Sequence, residues 1–337
     1  MRTPRAAQPP DHRTRPAGHP RAALLLAAGA ALATAFTWGS VPAAHGAPAA
    51  GLPDDTEFHD YPLQVHAWVE ANAGDPRQPL IADRIAAQPQ AVWFSHYEPG
   101  TVTRDAAAVT SAAEAAGEVP VLVSYMIPNR DCGGASAGGA PDFPSYLDWV
   151  EDFAAGLGSG PAAVILEPDS LALTTCLDGA ERAERFSSLA RAADLIHAAN
   201  PEARVYFDAG HSAWHEPAAM AATLTEAGVL ESGDGIYSNV SNYRATGDEV
   251  AFAQDVLAAL GDDSLRAVID TSRNGNGPAG SEWCDPPGRL VGETPTADTG
   301  NELIDAFLWV KPPGELDGCA GPAGQFSPEM AHQLAGG

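Results

Sequence analysis

The sequence predicts an α/β protein of parallel strands joined by helical crossovers, and three observations lead there. Apolar, β-branched-rich runs of strand length recur seven times between residues 91 and 310. Ala-rich segments with helical spacing separate them, so strand alternates with helix throughout. From residue 51 to 337 there is no linker, internal repeat or break in composition, which makes this stretch one domain. Such repeats build either an open doubly wound sheet or a closed barrel. A nucleotide-binding sheet carries a Gly-rich phosphate loop after an early strand; the Gly-containing run 273–277 comes late and matches neither GxGxxG nor the P-loop.

In chain order, the strands are expected at 91–95, 119–126, 163–167, 204–208, 235–239, 265–270 and 306–310. Helices are expected at 104–117, 146–156, 180–199, 217–228 and 248–260, with stops at Asn200-Pro201 and Gly261.

Ahead of the domain, residues 1–46 read as a secretory signal peptide: five arginines, an apolar run over 22–38, then small residues, with cleavage at about 43–50. The alternative is a membrane anchor, but the run is short for a span of ~20 residues and no charged stop follows it. Export to an oxidising compartment makes Cys132, Cys176, Cys284 and Cys319 two expected disulfides. Three pairings are possible, and sequence order favours Cys132 with Cys176 and Cys284 with Cys319. A zinc site is the rival, disfavoured because no CxxC pair occurs.

The chain has 18 basic and 44 acidic residues, a net charge of -26; without the first 50 residues it is -30. Nucleic acid and anionic membrane are therefore excluded as partners, and a neutral or cationic ligand is expected.

In a parallel barrel, chemistry collects at the C-terminal strand ends. These ends carry Trp93, Ser95, Tyr125, Asp131, Glu167, Asp169, Asp208, His211, Trp214, Asn242 and Asp270, and strand seven runs into Lys311, Glu315 and Asp317. Any one acid there could simply cap the next helix. Five strands ending near a carboxylate is costly for capping alone and points to a functional site. Lys311 is the only lysine in the chain, where an interchangeable surface cation would be Arg. Of the tryptophans after the leader, Trp68, Trp149 and Trp309 are expected in the core, while Trp93, Trp214 and Trp283 sit where flat faces could line a groove for sugar rings. GxSxG and HExxH are both missing. Carboxylate acid/base chemistry remains, with glycoside cleavage as its leading case.

The runs 123–132 (VSYMIPNRDC) and 164–171 (VILEPDSL) resemble the two signatures of glycoside hydrolase family 6, with further similarity at 207–214, 270–284 and 309–319. The resemblance spans roughly residues 55–335. It implies a distorted seven-stranded parallel (β/α) barrel, TIM-like, and the disulfide pairing that sequence order favours. It also implies Asp169 as general acid, Asp131 as the neighbour that raises its pKa and relays protons, and Asp317 as candidate base. Tyr125 would distort the sugar and Asp208 would support the site. Trp93, Ser95, His211, Trp214, Asn242, Trp283, Lys311 and Glu315 would hold flanking glucose units. Ala245 stands where similar enzymes often carry Trp, which puts one outer subsite in doubt.

The expectation is a secreted, monomeric, inverting endo-β-1,4-glucanase that needs no metal or cofactor, acts on β-1,4-glucan and has no carbohydrate-binding module. A processive cellobiohydrolase of the same family needs long loops roofing the groove, whereas only 34 residues separate Cys284 from Cys319. A non-catalytic glucan-binding protein would be expected to lose one of the acids.

Overall fold

The computed structural model describes residues 51–337, so the expected leader lies outside the described residues. Seven parallel strands follow one another around a single sheet in chain order. They are β1 (Val92–Phe94), β2 (Val121–Ser124), β3 (Ala162–Leu166), β4 (Ala203–Asp208), β5 (Gly235–Ser238), β6 (Arg266–Asp270) and β7 (Ile304–Leu308). The strands are mostly apolar on both sides because both faces are covered. In β3, Ala162, Val164 and Leu166 face the helices while Ala163 and Ile165 fill the barrel interior, all five buried. The sheet curls into a distorted, incompletely closed barrel. Across the seam between β7 and β1 no ladder forms; the Ala91 N–H donates to the Trp309 carbonyl at 2.9 Å, and Trp93 Nε1–H to that of Val310 at 2.7 Å.

Two strands differ from the sequence expectation for one physical reason. The run 119–126 forms a ladder only over Val121–Ser124, because the Glu167 carboxylate takes the N–H groups of Met126 and Ile127. The run 306–310 is displaced to Ile304–Leu308, because Asp270 takes those of Val310 and Lys311. A register shift between Ala267 and Val268 accommodates Asp305 inside β7. That polar residue is tolerated because it accepts from Tyr206 Oη–H at 2.7 Å and from the Leu52 N–H at 3.1 Å.

The long helices lie close to their expected places: α3 (Val102–Ala116), α4 (Phe143–Ala155), α5 (Gly179–Ala199), α6 (Pro217–Glu226) and α8 (Thr246–Leu260). Gly261, at φ 71°, ends α8 as expected of a left-handed C-cap. Asp142 and Asp178 cap α4 and α5. The sequence reading missed α1 (Gln64–Ala71), α2 (Gln78–Ile81, continued by a π turn at Ala82–Ala86), α7 (Val229–Ser232) and α9 (Pro328–Leu334). At four to eight residues they are too short for periodicity to reveal, and packing sustains them. Helices α1, α2 and α9 gather around Trp309, which lies past the end of β7 and not within it. Trp149 is buried as expected, whereas Trp68 is half-buried against Phe326 and Arg77.

Cys132–Cys176 and Cys284–Cys319 are bonded, closing loops of 44 and 35 residues, and no free cysteine remains. On the loop-entropy account each bridge contributes up to about 4 kcal/mol. Reduction is expected to lower the thermal midpoint, and thiol titration of the native protein to find no reactive groups; four reactive thiols before reduction would contradict the pairing.

Candidate active site

The strand-end acids divide into two kinds, which the sequence did not separate. Glu167, Asp208 and Asp270 are fully buried and point into the neighbouring loops. Glu167, after β3, accepts from the N–H groups of Met126 and Ile127 at 2.7 and 2.8 Å and from Ser124 Oγ–H. Asp208, ending β4, accepts from Leu171, Ala172 and Gly210 at 2.8–3.0 Å. Asp270, ending β6, accepts from Ser241, Ser272, Val310 and Lys311. These acids are neither helix caps nor cleft-facing groups; they hold the backbone of the loops. Burial raises the pKa of each, and the N–H donors partly offset it.

The held loops are strained. Among the described residues, positive φ at non-glycine positions occurs at Asn129, Asp131, Cys132, Glu167, Asp169, Asn239, Ser241 and Asp285, all in segments that follow the C-terminal ends of β2, β3, β5 and β6. Asp169 has φ 67° and Asp131 φ 55°, and both side chains line a cleft of about 1430 Å³ across these ends.

Asp169 has no hydrogen-bond partner for its carboxyl among the described residues, and its surroundings hold it well above the usual carboxylate range. Burial is the largest cause, followed by the charges of Asp208, Asp131 and Asp317. Asp131 Oδ2 accepts from the Ser136 N–H at 2.9 Å and from Ser136 Oγ at 3.0 Å, and that hydroxyl lies 2.8 Å from Tyr125 Oη. Tyr125 is wedged between the edge-on ring of Trp93 at 5.1 Å and the Arg130 guanidinium, 4.3 Å over its face. Arg130 in turn donates to the carbonyls of Ser136, Ser95 and Tyr125.

Asp317 is the opposite case. Burial works against its charge, but Arg273 at 2.8 Å and Lys311 at 3.4 Å outweigh it and hold the carboxyl below its usual range. Asp285 completes this corner by accepting from the N–H groups of Asp317, Cys319 and Ala320. The single lysine is thus buried and paired, with Nζ also donating to the Leu316 carbonyl at 3.2 Å, while still lining the cleft.

Trp93, Ser95, His211, Trp214, Asn242, Trp283 and Glu315 also line the cleft; Asp208 stands behind it. Trp93 lies in the middle of β1. Trp283 is 53% exposed at the rim. Burial, then the charges of Arg244 and His215, press the pKa of His211 down to about 4, and its Nδ1 accepts from the Ala213 N–H at 3.2 Å. His211 is therefore neutral near pH 7 with its proton on Nε2, a donor suited to hydroxyl groups. Gln64 Nε2–H donates to Glu315 at 2.7 Å. Arg130, Ser136, Arg273 and Asp285 were missed as site residues, since only the fold brings them beside the acids. The whole is a carboxyl of raised pKa with no partner among the described residues, a carboxylate of lowered pKa beside two cations, neutral donors and aromatic faces in one open groove: equipment for acid/base scission of a neutral polyhydroxy chain.

The sequence profile of the glycosyl hydrolases family 6 matches residues 57–336. The chain is 64% identical over 274 residues to endoglucanase 1 of Streptomyces sp. strain KSM-9, covering 81% of this chain and 76% of that one. It is 29% identical over 315 residues to a probable 1,4-β-D-glucan cellobiohydrolase C of Aspergillus niger, covering 77% of this chain and 68% of that one. The fold superposes on the endoglucanase Cel6 of Mycobacterium tuberculosis, solved with a thio-linked methyl cellobiosyl-cellobioside, with a TM-score of 0.78 and 39% identity over 83% of this chain and 97% of that one.

Carboxyls with raised pKa values stabilise the fold fully below their unfolded values near ~4, and that contribution is lost as pH rises through their folded values. Asp317 and His211, with lowered values, act the other way, Asp317 only in acid and His211 below its unfolded value of 6.5. The raised carboxyls Glu167, Asp169, Asp208 and Asp270 outnumber these two, so the thermal midpoint is expected to be higher at about pH 5 than at about pH 8, with the difference persisting in high salt because the groups are buried. Melting curves across this range check it; a midpoint that climbs steadily with pH contradicts it.

Proposed function

The chain belongs to the glycosyl hydrolases family 6, and from that premise we propose that this cellulase is secreted, cuts internal β-1,4-glucosidic bonds of cellulose and related glucans, and inverts the anomeric centre. The observation that carries the chemistry is Asp169, which lines the cleft without a hydrogen-bond partner among the described residues and has its pKa raised by burial and by the charges of Asp208, Asp131 and Asp317. In this reading it donates its proton to the glycosidic oxygen as the bond to the anomeric carbon breaks. Water adds from the opposite ring face, its oxygen bonding to that carbon and its second proton passing to a base. Asp131 sharpens the acid by repulsion, and its contact with Ser136 and Tyr125 offers a relay back to it. Tyr125, fixed by Trp93 and Arg130, presses the sugar out of its relaxed chair.

Asp317 is the candidate base. Its two cations keep it ionised over the whole working range and lower its proton affinity, so it serves best through an ordered water rather than by direct capture. His211, Asn242 and Glu315 provide hydrogen bonds to hydroxyls, and Trp93, Trp214 and Trp283 stack on ring faces. Endo action is supported by the exposed rim at Trp283, by the 34 residues between Cys284 and Cys319, and by the higher identity to an endoglucanase than to a cellobiohydrolase.

On a soluble cellulose derivative, viscosity is expected to fall quickly relative to reducing ends released, with α-anomer appearing first by NMR. Initial β-anomer would sink inversion, and slow viscosity loss with near-exclusive cellobiose release would sink the endo mode.

Asp169→Asn is expected to lower turnover on poor leaving groups by about 10²–10⁴-fold and far less on activated aryl glycosides. Asp131→Asn should move the alkaline limb of kcat/KM to lower pH, because the charge that raises the acid's pKa is gone. Asp317→Asn should slow all substrates alike, with azide rescue confined to this variant. Full activity of Asp317→Asn would transfer the base role to a water chain ending at Asp131 or Asp208.

A further inference from the structure

Behind the cleft, on the inner face of α5, lies an arginine that the mechanism does not use. Arg185 is 1% exposed. Among the described residues no carboxylate is hydrogen-bonded to it. Its Nη2 donates to the carbonyls of Pro128 and Asn129 at 2.9 and 3.1 Å, and its Nη1 to those of Ser170 and Leu173 at 3.3 and 3.4 Å. The first pair belongs to the loop after β2, which carries Asp131; the second belongs to the loop after β3, which carries Asp169. One planar fork therefore joins the two loops that bring the acids together.

A buried guanidinium without a paired carboxylate is costly, and a helix facing a core would ordinarily place a Leu or Met there. The loops supply the reason for it. Asn129, Asp131 and Cys132 on one side, and Glu167 and Asp169 on the other, have positive φ, so these segments cannot pair their carbonyls in a ladder. Glu167 satisfies N–H groups at the base of the first loop, and Arg185 satisfies carbonyls higher up in both. Cys132–Cys176 closes the outer end. Glu167, then Glu181, Tyr146 and Asp208, are the groups whose charge bears on Arg185; the charges bearing on Asp169 are those of Asp208, Asp131 and Asp317, with the Tyr125 and Tyr237 hydroxyls also facing it.

We propose that Arg185 is a positioning residue for the acid pair, a buried tie between the Asp131 and Asp169 loops that fixes how close the two carboxylates stand. It rests on the reading of Asp169 as proton donor and goes beyond it, since the tie touches neither substrate nor acid. Slackening it lets the acids part, so the proton is lost at lower pH and delivered less well, while sugar binding by the aromatic faces is unaffected.

The test is the pH dependence of kcat/KM on a cello-oligosaccharide for Arg185→Met, Arg185→Lys and Asp131→Asn, with Leu189→Ala, a core truncation on the same helix, as the control for general loosening. For Arg185→Met the alkaline limb is expected to shift down by about one unit, with kcat down about tenfold and KM within about twofold of the parent. Arg185→Lys keeps the charge but has one nitrogen, too few to serve both loops, so its limb should stay displaced. Full recovery with Lys would overturn the proposal, because charge alone would then suffice. An equal shift in Leu189→Ala would overturn it as well. A limb that moves in Asp131→Asn but not in Arg185→Met defeats the tie alone, whereas no movement in Asp131→Asn defeats the acid pair and the tie with it.

Discussion

Capture of loop N–H groups by buried carboxylates is the interaction on which the rest of this structure depends. Where the ladders stop, the chain turns through left-handed backbone and its N–H groups lose their strand partners, which the interior cannot leave unpaired. Glu167, Asp208 and Asp270 each accept several of them, and each reaches across to a loop from a neighbouring strand. Every loop so held is fixed relative to the next strand, so the acids that face the cleft inherit the rigidity of the barrel. The same captures end the ladders of β2 and β7 earlier than the apolar runs do, which makes strand ends and site geometry consequences of one interaction.

One residue type performs three jobs here because its surroundings differ. An aspartate surrounded by N–H donors supports backbone, one flanked by Arg273 and Lys311 has its pKa lowered, and one beside other carboxylates, with no partner among the described residues, has its pKa raised. Environments that push pKa values apart are what acid/base catalysis requires. The overall charge of -26 does not create this division, since few of the acids among the described residues are buried.

The open seam contributes as well. Ala91, Val92 and Trp93 on one side and Lys311 and Pro312 on the other all line the cleft, so the place where an eighth strand would close the barrel forms part of the groove wall. Two hydrogen bonds to the carbonyls of Trp309 and Val310 hold the seam without filling it.

By itself the sequence determined the seven strands, the five long helices, the loops that carry the site and the two signatures at 123–132 and 164–171, because hydrophobic period and short motifs are local properties of the chain. Only the tertiary structure decided which acids face substrate. Glu167 and Asp169 are two residues apart and both have positive φ, yet one turns inward onto the Met126 and Ile127 N–H groups and the other outward into the cleft. Arg185 and Arg273 carry no mark in the sequence of the positions they take, and each is buried against loops from distant strands. The direction of a side chain past a strand end is set by which neighbouring backbone groups need a partner, and that depends on chain segments 40 or more residues away, as in Glu167 to Ile127 and Arg273 to Asp317.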